Sequence, residues 1–193
     1  MADKQTAEAE PQLDADGIPI QTYISTVLVV VPSKDFGEQA LRYARSCLHN
    51  VHVGTRSVST AYDEMVKGRL QDEFLVDGQL AGVSLDGYSG VIFAGGKGSL
   101  ELAENADALR LAREAQASGK LIGAYGEALA VLVRAGVVKG KKVTGAKRLA
   151  DDVKRAGGKY RTAQLVTCGK LVTAFDESAG MRFGKALASV VEI

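Results

Sequence analysis

Short apolar runs alternate along the chain with segments of helical character. Residues 27–31, 91–94 and 121–124 form runs without a polar interruption, and residues 51–54 begin a further one. Apolar runs without alternation are typical of strands that are buried on both faces of a sheet. Helical spacing and composition predict helices over residues 38–48, 106–118, 128–135, 149–156 and 180–191.

This order of elements predicts an α/β domain, in which helices cover both faces of a mostly parallel sheet. We expect the runs that begin at Val27, Val51, Val91 and Leu121 to be adjacent and parallel in one sheet. A shorter strand is predicted over residues 142–144.

Two further pairs of strands are predicted from turn residues. The pair Asp77-Gly78 favours a tight turn, so residues 74–76 and 80–83 are expected to form a small β-hairpin. Residues 165–167 and 171–173 are expected to pair across the intervening turn.

The chain is organised around residues 120–132, where a short strand turns sharply into a helix. Tyr125-Gly126-Glu127 forms the turn, and the helix is predicted to end before Gly136. In α/β enzymes such a turn presents a nucleophile above the sheet edge, and its central residue tends towards positive φ. Gly126 adopts positive φ at little steric cost but has no side chain. The sequence therefore predicts a nucleophile turn that lacks its nucleophile.

Length and charge limit the classes of function. The chain has 193 residues, enough for one domain with a sizeable core. A formal net charge of +1 gives no indication of nucleic-acid or anionic-membrane binding. The longest apolar stretch, residues 27–32, is too short to span a bilayer. Residues 1–17 are polar and acidic, and we expect a mobile extension that precedes a domain over residues 18–193.

The cysteines and histidines do not form a recognisable reactive group. Cys47 and Cys168 lack metal or redox spacing, so we expect two reduced thiols in a cytoplasmic protein without a metal or cofactor. His49 and His52 follow the first predicted helix. In the expected topology His49 lies at the amino-terminal edge of the sheet, away from the turn at Gly126.

Four segments in order carry a resemblance to a known superfamily. They read Tyr-Ser-Gly-Val-Ile-Phe-Ala-Gly-Gly at residues 88–96, Gly-Lys-Leu-Ile-Gly-Ala at 119–124, Ala-Gly-Val-Val-Lys-Gly-Lys-Lys-Val-Thr at 135–144 and Lys-Leu-Val-Thr at 170–173. The chain resembles the ThiJ/PfpI superfamily, the class I glutamine amidotransferase-like proteins. The resemblance implies a flavodoxin-like three-layer sandwich that assembles as a homodimer or larger oligomer.

The same resemblance shows a departure at the turn. Most of the superfamily carries Ala-Ile-Cys-His-Gly there, whereas this chain reads Ala124-Tyr125-Gly126-Glu127-Ala128. The reactive cysteine maps to Gly126 and the following histidine to Glu127. The local sequence is more similar to the cysteine-free C-terminal domain of large-subunit catalases, for which roles in stability, assembly or chaperone-like activity are implied.

Two carboxylates are candidates for remaining chemistry. The resemblance implies that Glu38 is the superfamily glutamate beside the cysteine, whereas its position in the first turn of a helix is also explained by the helix dipole. Glu127 is either a helix-capping residue or a pocket carboxylate paired with Glu38. Two close carboxylates can supply an acid and a base because one pKa is driven upwards. Asp176 and Glu177 either line the same cleft or serve as caps and surface residues.

The turn also predicts a small binding pocket. Gly95, Gly96, Tyr125, Gly126 and Glu127 are its expected lining residues. The resemblance implies that the amides of Gly96 and Glu127 are oxyanion-hole donors, which are able to hold an anion, a water or a small ligand without a nucleophile.

Two classes of function remain. The missing cysteine favours a non-catalytic ThiJ/PfpI-like pseudoenzyme, namely an oligomeric stress-associated, chaperone-like or ligand-binding module. The alternative is a cysteine-independent hydrolase or lyase that uses Glu38 and Glu127 as acid and base. In either case the expected partner is a second copy of the chain, with neither nucleic acid nor membrane.

Overall fold

The computed structural model describes residues 22–61 and 65–191, so the expected amino-terminal extension lies outside the described residues. The described part contains eleven strands and six α-helices. The strands, in chain order, are β1 Ser25–Val31, β2 Val53–Ser59, β3 Met65–Lys67, β4 Glu73–Leu75, β5 Gly78–Gln79, β6 Gly90–Phe93, β7 Leu121–Tyr125, β8 Lys142–Val143, β9 Lys159–Tyr160, β10 Leu165–Cys168 and β11 Leu171–Ala174. The helices are α1 Glu38–His49, α2 Ser99–Leu102, α3 Ala106–Ala117, α4 Leu129–Arg134, α5 Ala150–Arg155 and α6 Gly180–Val190.

A seven-stranded sheet forms the centre of the molecule, in the order β10-β11-β7-β6-β1-β2-β5. Strand β1 is parallel to both of its neighbours, so that Val29 lies opposite Ser57 of β2 and Ile92 of β6. Strands β6, β7 and β11 continue the parallel arrangement. The prediction that the four apolar runs are adjacent and parallel is confirmed, although the second strand begins at Val53 rather than Val51.

Helices cover both faces of this sheet and bury alternate residues of β1. Val27, Val29 and Val31 belong to the cluster that includes α1 and α6, whereas Leu28 and Val30 belong to the cluster on the opposite face. All five side chains are fully buried, and burial of such side chains contributes about 1.5–3 kcal/mol each relative to exposure. The prediction of helices on both faces of a mostly parallel sheet is therefore confirmed, as is the three-layer sandwich that the resemblance implies.

The small hairpin is present, but its expected location was wrong. Strand β4 pairs antiparallel with β3, not with residues 80–83. Asp77 does not close a tight turn, because its carboxylate accepts hydrogen bonds from the backbone N–H and the hydroxyl of Ser57, both at 2.6 Å. Its own N–H donates to the carbonyl of Ser57, and Gly78 then continues in parallel beside β2. The predicted pairing of the segments around Cys168 is confirmed by the antiparallel pair of β10 and β11.

Candidate functional site

The turn after β7 has the predicted conformation. Gly126 follows the strand directly with φ of 58°, and a 3-10 turn over Gly126–Ala128 leads into α4. A Cβ placed on Gly126 meets only the amide nitrogen of Gly96 at 3.9 Å and the Cα of Asp176 at 4.0 Å. Position 126 therefore keeps open space for a side chain above the carboxyl end of the parallel sheet.

The neighbouring loops approach this turn closely. The N–H of Gly37, in the loop after β1, donates to the carbonyl of Gly95, in the loop after β6, at 2.7 Å. A Cβ on Gly95 overlaps the carbonyl oxygen of Tyr125, and Gly96 has φ of 117° beside the carbonyl oxygen of Asp35. The glycines after β6 are thus required by the close approach of three backbone segments.

The side chain of Tyr125 is buried next to the turn and stabilises it. Its side chain is 1% exposed, its hydroxyl donates to the carbonyl of Gly37 at 2.7 Å, and its ring packs edge-on against Phe183 at 5.5 Å. Burial raises the pKa of the Tyr125 phenol well above its ordinary value; the backbone of Gly95 lowers this pKa by a smaller amount, and the nearby Glu38 carboxylate adds a further small rise. The phenol is therefore a neutral structural donor.

A cavity of about 60 Å³ lies beside Gly126 at the carboxyl end of the sheet. Its lining includes four of the five predicted pocket residues, and Gly95 lies directly behind Tyr125. The charged side chains of the lining are three carboxylates and one guanidinium. The complete lining is Gly37, Arg69, Gly96, Tyr125, Gly126, Glu127, Asp176 and Glu177.

Glu38 does not line this cavity. It is the first residue of α1, is 4% exposed, and accepts a hydrogen bond from the backbone N–H of Leu70 at 2.7 Å through Oε1. A Cβ on Gly68 overlaps the Glu38 carboxylate, so residues 68–70 cover it directly. Glu127 instead has its Oε1 3.8 Å from Nε of Arg148. The contacts of the two candidate carboxylates are thus separate, and they do not resemble those of an acid–base pair.

Glu177 occupies the region that sequence reasoning assigned to Glu38. It begins the 3-10 turn before α6 and forms an ion pair with Arg69. Its Oε2 lies 2.7 Å from the position of a Cβ on Gly37. Asp176 also lines the cavity while its Oδ1 caps the turn by accepting from the N–H of Ser178 at 2.9 Å. Arg69 was missed, because a lone arginine between two strands carries no sequence signal for a site.

Both thiols lie away from the turn. Cys168 is opposite Leu171, which is opposite Ile122 near the start of β7, so it lies at the other end of the sheet from Gly126. Cys47 lies in the second half of α1 and packs against α6, where its Sγ is 2.9 Å from the position of a Cβ on Gly184.

The remaining candidate residues do not form a second reactive site in the described part of the chain. His49 lies at the end of α1, at the amino-terminal edge of the sheet, where its Nδ1 and the hydroxyl of Tyr23 are 2.9 Å apart. Within residues 22–61 and 65–191, no three histidine, cysteine, aspartate or glutamate side chains gather in a way that holds a metal ion. No helix in these ranges is long and apolar enough to cross a membrane.

The fold agrees with comparisons to known proteins. The sequence model of the DJ-1/PfpI family matches residues 25–190. The chain belongs to the DJ-1/PfpI family. This confirms the superfamily predicted from the four sequence segments.

Individual DJ-1/PfpI relatives match over different lengths. An uncharacterised protein of Methanocaldococcus jannaschii is 30% identical over 169 residues, which are 86% of this chain and 82% of the relative. A deglycase of Thermococcus kodakarensis is 28% identical over 92 residues, which are 48% of this chain and 55% of the relative. Among solved structures, a ThiJ/PfpI domain protein from Brachyspira murdochii has a TM-score of 0.81 at 19% identity, covering 86% of this chain and 95% of its own.

Proposed function

We propose that this DJ-1/PfpI protein performs no thiol-dependent chemistry and acts as a ligand-binding module. The observation that carries the proposal is the glycine at position 126, in a turn that has the conformation and the space for a nucleophile. Thiol catalysis needs a thiolate held next to its activating groups, and both thiols of the chain lie elsewhere.

The binding part of the proposal rests on the cavity beside Gly126. It lies at the carboxyl ends of parallel strands, where open α/β sheets bind their ligands. Glu127, Asp176, Glu177 and Arg69 supply charged groups at its wall, and Tyr125 supplies a rigid floor. Such a cavity selects a small polar group rather than a large apolar ligand.

We further propose that the module functions as a homodimer or larger assembly with a stress-associated or chaperone-like role. A formal net charge of +1 provides little electrostatic repulsion between copies. Most oligomers of soluble proteins are homo-oligomers with closed symmetry.

The thermococcal relative that is named a deglycase covers about half of this chain. Deglycase, glyoxalase and peptidase activities are the reactions that the superfamily resemblance connects with the cysteine at the turn. Because glycine occupies that position in this chain, we infer that this protein does not share these activities.

A cysteine-independent hydrolase or lyase is the second candidate. The observation in its favour is that Glu127 lines the cavity together with Asp176 and Glu177. The observation against the pair Glu38 and Glu127 is that Glu38 lies outside the lining and binds the backbone of Leu70.

Methylglyoxal consumption separates these functions. We expect the wild type to match a buffer blank, and the Cys47→Ser/Cys168→Ser variant to match the wild type. Turnover that disappears in the double variant contradicts the proposal by revealing a working thiol. Turnover that persists in the double variant but is lost in Glu38→Gln or Glu127→Gln supports the carboxylate enzyme instead.

A further inference from the structure

Residues 68–71, here called the strap, form most of the connection between β3 and β4 and lie beside the cavity. The N–H of Arg69 donates to the carbonyl of Phe36 at 2.9 Å, and the N–H of Leu70 donates to Oε1 of Glu38 at 2.7 Å. The Arg69 guanidinium pairs with Glu177 and lines the cavity. The strap is therefore attached to the loop after β1, to the start of α1 and to the turn before α6.

Two carboxylate oxygens next to the strap lack hydrogen-bond partners. They are Oε2 of Glu38 and Oε2 of Glu177, and among the described residues no other buried side-chain oxygen or nitrogen is in this state. Buried polar atoms in proteins are nearly always hydrogen-bonded. Two exceptions that both belong to residues held by one four-residue segment point to a donor-bearing ligand of this site.

The strap is attached to the body of the protein by polar contacts and has little apolar packing. Leu70 is 63% exposed, so its apolar side chain contributes little to packing. Gln71 has φ of 66°, a left-handed conformation that is unfavourable for a residue with a Cβ. Segments with few buried apolar contacts and strained backbone open locally at low cost.

The charges around the site determine what kind of ligand fits. When the strap moves away, Arg69 leaves with it, and the carboxylates of Glu38, Glu127, Asp176 and Glu177 remain. Arg148 lies 3.8 Å from Glu127, so the net charge of this group is still negative. An excess of negative charge in a partly buried site favours a cation over an anion. A primary ammonium group supplies positive charge and three hydrogen-bond donors, and the cavity of about 60 Å³ has room for a group of this size.

We propose that the strap opens, which uncovers Glu38 next to the cavity beside Gly126, and admits a small primary amine whose ammonium group donates hydrogen bonds to Glu38 and Glu177. This inference rests on the proposed binding function and assigns its ligand class. Arg69 occupies the cationic position in the closed state and competes with the ligand for Glu177. Position 126 has no side chain, which leaves space for the carbon that bears the amine.

Methylammonium chloride is the probe for the ligand class. We expect it to shift the backbone amide NMR signals of Gly126 and Glu127 with saturation, and tetramethylammonium chloride, which has no N–H donor, to leave them in place. Sodium acetate tests the opposite charge. Binding of acetate, or equal effects of the two ammonium ions, overturns the proposal.

Charge-neutral variants test the two carboxylates. Glu177→Gln should weaken methylammonium binding several-fold, and Glu38→Gln should do the same if it remains folded. The matched control is Glu73→Gln, because Glu73 is an exposed carboxylate of the same hairpin, 3.9 Å from Lys67. An effect of Glu177→Gln no larger than that of Glu73→Gln contradicts the proposal, since only the overall charge then matters.

Hydrogen exchange of the Leu70 amide reports on the strap directly, because this N–H is bonded to Glu38. Arg69→Ala should accelerate its exchange several-fold and strengthen methylammonium binding, whereas Lys67→Ala should change neither. Unchanged exchange in Arg69→Ala overturns the assignment of Arg69. Methylglyoxal turnover by the wild type contradicts the proposed function alone and is independent of all these readouts.

Discussion

Substitution of Gly126 by alanine measures whether the turn has kept the space of a nucleophile site. The backbone at Gly126 has φ of 58°, and a new Cβ finds no atom nearer than 3.9 Å. The loss in free energy of unfolding should therefore come from the left-handed conformation alone, about 1–2 kcal/mol. Gly136→Ala is the matched control, because Gly136 has φ of 79° with no atom within 4 Å.

Gly95→Ala provides the opposite reference. A Cβ on Gly95 overlaps the backbone oxygen of Tyr125, which cannot move without disturbing the end of β7. We expect this variant to lose about 3 kcal/mol or more. Urea denaturation followed by circular dichroism gives all three values, provided that the m-values agree. A loss in Gly126→Ala that equals Gly95→Ala and greatly exceeds Gly136→Ala refutes the claim that the turn has open space.

Three further predictions follow from Tyr125 and from assembly. Tyr125→Phe should lower the free energy of unfolding by about 1–3 kcal/mol, measured in urea, because the buried carbonyl of Gly37 loses its donor; no loss contradicts this. Because the folded-state pKa of Tyr125 is raised, its contribution is complete below the unfolded pKa of about 10 and is lost as the pH rises above it. Denaturation at increasing pH should therefore show a fall in stability that is smaller in Tyr125→Phe, and an equal fall refutes the assignment. Light scattering at micromolar concentration should give at least a dimer mass, and a monomer mass rules out assembly.

The sheet was predictable because its information is local. The apolar runs of β1, β6 and β7 have no polar interruption, so each specifies a strand buried on both faces without reference to the rest of the chain. The positive φ of Gly126 was predictable for the same reason, because a glycine directly between a strand and a helix has few backbone conformations available to it.

The failures depend on contacts between distant residues. The pair Asp77-Gly78 is typical of a tight turn, but the Asp77 carboxylate accepts a hydrogen bond from Ser57, twenty positions earlier in the chain. Glu38 begins α1 as expected, but its carboxylate accepts a hydrogen bond from the backbone N–H of Leu70. No sequence pattern indicates that these two residues are close together. Arg69 and Glu177 are far apart in the chain, so their ion pair cannot be inferred from any local sequence pattern.

We infer that the chain contains no activated thiol, and alkylation of the wild type by iodoacetamide at neutral pH tests this inference most directly. An activated thiolate reacts faster than an ordinary thiol because more of it is ionised. Peptide mass spectrometry should show that Cys47 and Cys168 are each labelled no faster than glutathione under the same conditions. Labelling of either cysteine well above the glutathione rate contradicts the account, since it reveals a reactive thiol away from the turn at Gly126.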